Sequence, residues 1–406
     1  MPEAVIVATA RSPIGRAFKG SLKDIRPDDL TAQVVRAALA KVPEIQASCL
    51  DDLLLGCGLP GGEQGFNLAR VVAVLLGQDR LPGATITRYC SSSLQTTRMA
   101  MHAIRAGEGD VFISAGVEMV SRFVKGTSDS LPDTQNPLFA EAQKHTAALS
   151  AGGVDGWHDP REDGRLPDAY MAMGQTAENV ALLCDISRED MDAFGVRSQN
   201  LAEKAIANGF FAREITPIAL PDGSVVATDD GPRPGVTLEA VAALKPVFRP
   251  DGRVTAANCC PLNDGAAAVI VISDTKARAL GLTPLARIVS TGVSALSPEI
   301  MGLGPVEASR QALARAGMAI GDMDLVEINE AFAAQVIPSA RQLGVDPDRL
   351  NVNGGSIALG HPFGMTGARI TTTLINSLQT HDKQFGLETM CVGGGQGMAM
   401  VLERLS

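Results

Sequence analysis

Residues 84–116 read ATITRYCSSSLQTTRMAMHAIRAGEGDVFISAG. The first six residues, Ala84–Tyr89, alternate like a strand. Beyond Cys90 the period changes, and Leu94, Thr97, Met101 and Ile104 fall on one face of a helix. Val111–Gly116 then reads as another strand. Strand, helix and strand in succession predict parallel β-α-β units, with a sheet covered on both faces. The pattern extends toward the N-terminus. Ala4–Ala8 and Leu53–Gly58 are apolar runs of strand length, and Asn67–Leu76 reads as a buried helix. Leu30–Leu39 has helical spacing, with Leu30, Val34, Val35 and Ala38 on one face.

From Ser121 the texture changes. Residues 121–251 are rich in loop-forming side chains and carry amphipathic helices such as 188–209. This predicts an inserted, loop-rich region, and long loops of that kind often form active-site walls. Regular alternation then resumes. Strands are expected at 266–273 and 324–329, and helices at 370–379 and at 308–317, the latter ending on a C-cap glycine. Residues 387–405 read as a hairpin around a triple-glycine turn. The two flanks share an element order, which suggests a duplicated α/β unit without a residue-level repeat. The expected organisation is an N-terminal half (1–120 plus 252–273), an insertion (121–251) and a C-terminal half (274–406).

Composition sets outer bounds. The chain has 406 residues, 45% hydrophobic and 20% charged, which is ordinary globular composition. A net charge of −10, no basic stripe, and only one Trp and two Tyr argue against a nucleic-acid partner. The start, MPEAVIVATARSP, has no basic segment leading into a long apolar one, and no run reaches the roughly 18 apolar residues that span a bilayer. A cytoplasmic protein without membrane insertion is expected. Seven cysteines, with no C-x-x-C spacing, argue against a disulfide framework or zinc ribbon, and no metal is expected.

Candidate chemistry lies in four places. In NVNGGSIALGHPFGMTGARI (351–370), neither a P-loop nor a dinucleotide fingerprint is present, so the glycines present His361 rather than cradle a phosphate. Cys90 sits where a strand gives way to a helix, whose free N–H groups and partial positive charge favour a thiolate. A neutral imidazole is a usual activating base for such a thiol. Cys391 precedes VGGGQG, where Gly393 to Gly395 could offer N–H donors to an oxyanion. Asn329, in EINEAFAA, could hold a water or a carbonyl oxygen, or could simply cap a helix.

Together, RYCSSSLQ, VEINEAFAAQ, NVNGGSIALGHPFGMTGARI and MCVGGGQGMAMVLER resemble, in order, the four signature blocks of the thiolases. The resemblance runs from ARSPIGRAFKGSL to the last residues. It implies a duplicated five-layered α/β/α/β/α core with an inserted loop domain. It implies Cys90 as the acylated nucleophile, His361 as its activator and Cys391 as the acid/base at the acetyl-CoA methyl carbon. His361 with a water on Asn329 would form one oxyanion hole, and the N–H groups of Cys90 and Gly393 the other. Arg233, Cys260, Met173 and Phe332 would contact coenzyme A, which is a cosubstrate rather than a permanently bound cofactor. A homodimer or homotetramer is implied.

The departures from the family pattern are Ser93, where glycine is usual, Cys260, where serine is common, and Ala172, where short-chain biosynthetic members often carry histidine. Ala172 favours a degradative enzyme that cleaves 3-oxoacyl-CoA with free CoA over a biosynthetic acetoacetyl-CoA thiolase. A ketoacyl synthase is disfavoured by the Cys391 block, and a non-catalytic carrier by the complete Cys/His/Cys set.

Overall fold

The computed structural model describes residues 2–129, 131–153 and 156–406. In chain order, the first stretch holds β1 (Ala4–Arg11), β2 (Gly15–Arg16), α1 (Pro27–Leu39), β3 (Asp52–Cys57), α2 (Leu68–Leu75), β4 (Gly83–Ile86), α3 (Ser92–Ala106) and β5 (Val111–Met119). A helical, loop-rich stretch follows, with α4 (Ala140–Ser150), α5 (Met173–Leu183), α6 (Arg188–Ala207), the small pair β6 (Ile218–Ala219) and β7 (Val225–Val226), and α7 (Leu238–Ala242). Next come β8 (Asn263–Ser273), α8 (Asp274–Ala279), β9 (Ala286–Ala295), α9 (Gly304–Ala316) and β10 (Leu325–Ile328). The chain closes with α10 (Ala333–Leu343), α11 (Ser356–Leu359), α12 (Thr366–Thr380), β11 (Phe385–Val392) and β12 (Gln396–Arg404).

The strands follow one path, β10-β11-β12-β9-β1-β8-β5-β3-β4, which divides at a narrow joint where only Val5 and Ile6 of β1 meet Arg287 and Ala286 of β9. Each side of the joint has the same plan. In the first sheet the strands, taken by order of appearance, lie third, second, fourth, fifth, first. In the second, β10, β11, β12 and β9 repeat second, fourth, fifth, first, and a single parallel bridge from Val326 to Leu350 stands in the third place. Strand directions repeat too: β3 is parallel to β4 and β5, as β10 is to β11, while β8 and β12 run antiparallel to both their neighbours.

The sheets are therefore mixed, where the β-α alternation predicted parallel units. The reason is local: a three-glycine turn can join β11 to β12 only as a hairpin, and β8 takes the matching place in the first sheet. The strand β9 is absent from the sequence reading, although ARIVSTGVSA has the β-branched content of a strand.

Three apolar clusters set the layers. On the outer face of the first sheet, Leu30, Val34 and Val35 of α1 and Val72 of α2 pack against Leu53, Ile113 and Ile270. On the outer face of the second, Ala308 and Ala312 of α9 and Val336 of α10 pack against Ile328, Leu387 and Val401. Between the sheets lie α3 and α12, in contact with one another, with Leu94, Met101, Ile104, Ile370 and Leu374 buried against both sheets. Each such side chain contributes roughly 1.5–3 kcal/mol on burial. The result is the five-layered α/β/α/β/α core.

Candidate active site

The two central helices start side by side, and the site forms at their N-termini. Cys90 lies in the tight turn Tyr89–Ser91 that leads into α3. Tyr89 is held at φ +41, a backbone region costly for an aromatic residue, and strain of this sort collects at functional sites. Ser92 fixes the turn: its Oγ accepts the Arg88 N–H at 2.9 Å and donates to the Tyr89 carbonyl at 2.6 Å. The turn leaves Cys90 buried at 8% exposure, with the Gly393 N–H directed at its sulfur.

Before α12, Gly360 sits at φ +117, and a Cβ there would lie 2.6 Å from the Asn263 side chain, so both conformation and space require glycine. That same Asn263 accepts the His361 backbone N–H at 3.0 Å. At Gly367, a Cβ would lie 2.2 Å from the Leu94 backbone nitrogen. The glycine-rich stretch thus lets α12 start against the start of α3. Ser93 contributes as well: its buried Oγ accepts the Ala368 N–H at 2.9 Å, so a side chain of α3 satisfies a free donor in the first turn of α12. Glu118, at the end of β5, ties the same turn to β3 by accepting the N–H groups of Gly364 (2.9 Å) and Gly58 (2.7 Å).

Hydrogen bonds set the orientation of His361. Thr366 Oγ1 lies 2.6 Å from Nδ1 and donates its own proton to the Pro362 carbonyl at 2.7 Å. Its remaining role is acceptor, which assigns the ring proton to Nδ1 and leaves a lone pair on Nε2. A second chain meets Nε2. Arg369 donates to Ser356 Oγ (2.8 Å), Ser356 donates to Asn329 Oδ1 (2.6 Å), and Asn329 Nδ2 lies 3.3 Å from Nε2. Asn329 is thereby held with its amide nitrogen toward the imidazole rather than acting as a helix cap.

Burial dominates the electrostatics. It pushes the His361 pKa down to about 3, with the Arg369 charge adding to the effect, so the ring is neutral across ordinary pH. It pushes the Cys90 thiol up to about 11, against the opposing effect of the Gly393 N–H. The low thiol pKa expected from the helix N-terminus is therefore overturned by desolvation. Cys391, fully buried on β11, is also raised by burial and then by the nearby Cys90 sulfur. Cys260 lies within electrostatic reach of both Cys90 and Cys391.

Cys90, Gly393, Met173 and Phe363 open onto one cavity of 790 Å³, within the usual range for a small-molecule site. Met173 begins α5, directly after Ala172, which lines the same space. Phe363 stacks edge-on with His361, ring centroids 5.3 Å apart. Phe332 lies instead in a packed cluster, edge-on to Phe248 at 6.2 Å. Arg233 is exposed, with its backbone N–H held by Gln199 at 2.9 Å. The supports Thr366, Ser356, Arg369, Asn263 and Glu118 escaped the sequence reading. Each acts through a hydrogen bond to a residue distant in the chain or through a turn, and no local pattern signals that.

Comparison with known proteins agrees with this architecture. The models named "Thiolase, N-terminal domain" and "Thiolase, C-terminal domain" match residues 4–275 and 282–404. A 3-ketoacyl-CoA thiolase of Bacillus subtilis (strain 168) is 42% identical, with 99% of this chain and all of the relative covered. The 3-oxoadipyl-CoA/3-oxo-5,6-dehydrosuberyl-CoA thiolase of Escherichia coli (strain K12) is 43% identical with both chains fully covered. Among solved structures, the dimeric peroxisomal thiolase of Saccharomyces cerevisiae superposes with a TM-score of 0.88 at 33% identity, covering 99% of this chain and 97% of its own. The chain belongs to the thiolase family. It is an acyltransferase, and the names of its relatives favour the degradative direction.

Proposed function

We propose that this protein cleaves 3-oxoacyl-CoA with free CoA, giving acetyl-CoA (or propionyl-CoA) and a shortened acyl-CoA through an acyl group on Cys90. The observation that carries this reading is the Cys90 sulfur facing the Gly393 N–H where both line one cavity, with a second, fully buried thiol, Cys391, within electrostatic reach of Cys90. The Cys90 thiol attacks the 3-keto carbon as its proton passes to the unprotonated Nε2 of His361. With the resting thiol raised to about 11 and the imidazole neutral, attack and proton transfer are coupled rather than preceded by a standing thiolate. The N–H groups of Cys90 and Gly393 receive the oxyanion of the attacked carbonyl. Scission of C2–C3 leaves the electron pair on the acetyl-CoA fragment as an enolate, held by His361 and a water on Asn329. Cys391 supplies the proton to C2. The CoA thiol then attacks acyl-Cys90 as Cys391, left a thiolate by that step, takes its proton, and the departing Cys90 sulfur recovers its proton from His361.

The roles of Cys90, His361, Cys391, Asn329 and Gly393, and coenzyme A contacts at Met173, Cys260, Phe332 and Arg233, belong to this proposal. So does the division into 1–120 plus 252–273, 121–251 and 274–406, supported by the repeated strand plan. A homodimer or homotetramer is supported by the description of the yeast relative as dimeric. Cytoplasmic action is supported by the need of a nucleophilic thiol for a reducing compartment, and all seven cysteines are free. Among the described residues no helix is long and apolar enough to cross a membrane.

The test is CoA-dependent cleavage across a series of 3-oxoacyl-CoA esters. Cleavage is expected, with acetoacetyl-CoA a poorer substrate than longer esters, because Ala172 leaves open space beside Met173. A kcat/KM that peaks at acetoacetyl-CoA overturns the degradative reading.

A further inference from the structure

The cavity that Cys90 opens onto is polar in an uneven way. Asp129 and Asp133 line it, as do the Tyr89 and Tyr170 rings, Gln135 and Gln143. Among its described lining residues there is no Lys, Arg or His. Asp129 accepts from Ser128 Oγ at 3.1 Å, and no Lys, Arg or His is paired with it in an ion pair among the described residues. Its carboxylate also lies within electrostatic reach of the Tyr89 phenol, the residue that directly precedes the nucleophile. An acyl chain entering this space meets negative charge and hydrogen-bonding groups, with no cation to receive an anionic tail.

We propose that this cavity selects 3-oxoacyl chains with uncharged tails, and that Asp129, seconded by Asp133, excludes chains ending in a carboxylate. The inference rests on the thiolase reading above and narrows its substrate class. It separates this chain from the relative named for 3-oxoadipyl-CoA, whose acyl group ends in a carboxylate, despite 43% identity. The physical basis is like-charge repulsion between an incoming carboxylate and those of Asp129 and Asp133, which salt screens.

The test compares 3-oxohexanoyl-CoA with 3-oxoadipyl-CoA, a pair matched in chain length and in CoA charge that differs only at the terminal carbon. The wild-type kcat/KM is expected to favour 3-oxohexanoyl-CoA by roughly ten- to a hundredfold. The ratio should shrink with added salt, as exclusion by charge is screened and exclusion by shape is not. Asp129→Asn should lower the ratio, and Asp129→Asn with Asp133→Asn should lower it further. Asp129 is exposed, so these variants are expected to fold. A wild-type ratio near one, or a large ratio that neither salt nor the double variant moves, overturns the inference while leaving the thiolase reading in place. Cleavage of neither ester brings down the thiolase reading itself.

Discussion

Helices α3 and α12 are counterparts in the two halves. Each has fifteen residues, each is central, and each begins at the site. Yet α3 is entered through a strained turn that presents a thiol, and α12 through a glycine-rich turn that presents an imidazole. The connections that follow differ even more. In the second half, β11 passes to β12 through Gly393, Gly394 and Gly395. In the first, β5 passes to β8 through residues 120–262, part of which walls the cavity. A repeated scaffold thus supplies two equivalent positions, and divergence at each gives a thiol and an imidazole, a glycine turn and a cavity wall, to which the proposed mechanism assigns nucleophile, base, oxyanion donor and substrate contact. Symmetry brings the groups together, and its loss makes them complementary.

The sharpest way to break this comparison is to remove one group from each half. Cys90→Ala should abolish both acylation by a simple acyl-CoA and C–C cleavage, on the order of 10⁴-fold or more, read by intact-mass labelling and turnover. Label found mainly on Cys259 or Cys260 in the native enzyme would move the nucleophile elsewhere. Cys391→Ala should behave differently: Cys90 still becomes acylated, whereas cleavage and deuterium exchange at the acetyl-CoA methyl fall by about 10²–10⁴. Retained exchange in a merely destabilised protein would remove Cys391 from the chemistry.

A smaller loss is expected along the chain that ends at His361. Ser356→Ala leaves Asn329 without its orienting donor, and turnover should fall by roughly 10¹–10² with little change in KM, as the oxyanion contact is loosened rather than removed. An equal loss in acylation by a simple acyl-CoA and in enolate formation would argue against a role confined to the second oxyanion hole.

Stability against pH offers a third measurement. The folded-state pKa of His361, about 3, lies below its unfolded value of 6.5. Between these values the unfolded chain binds a proton that the folded protein refuses. The contribution is therefore full above pH 6.5 and is lost as pH falls, by about 1.4 kcal/mol per pH unit, until it levels below the folded value. Glu327 and Glu388, both raised to about 8 by burial, act in the opposite direction between pH 4.5 and 8. The comparison must be with His361→Gln, whose denaturation curve should lack the His361 slope. Identical pH slopes in the two proteins would show that the ring is not held neutral.

The smallest effect concerns the link between the helices. Ser93→Ala removes the side-chain acceptor for the Ala368 N–H and should cost about 1 kcal/mol, seen in a denaturant midpoint. Ser93→Gly should cost at least as much if the hydroxyl matters. A gain in stability would mean that the serine strains the helix start instead.

Periodicity in the chain itself determined most of the strands and helices and the duplication of element order, while glycine-rich and strand-to-helix turns, together with the resemblance to the thiolase signature blocks, marked the stretches that hold Cys90, His361, Asn329 and Cys391. These are local properties, set by side-chain spacing and by residues that suit tight turns. Tertiary structure decided the rest. The sheets are mixed because β8 arrives after a long excursion and β12 after a hairpin, and no local period records strand direction. The pKa of Cys90 follows burial by distant elements rather than the helix end beside it in sequence. The proton on His361 is assigned by Thr366, and its approach to Asn329 is set by Ser356 and Arg369. These are hydrogen bonds and desolvation, short-range in space and unconstrained in sequence separation, so they exist only once the two halves have packed together.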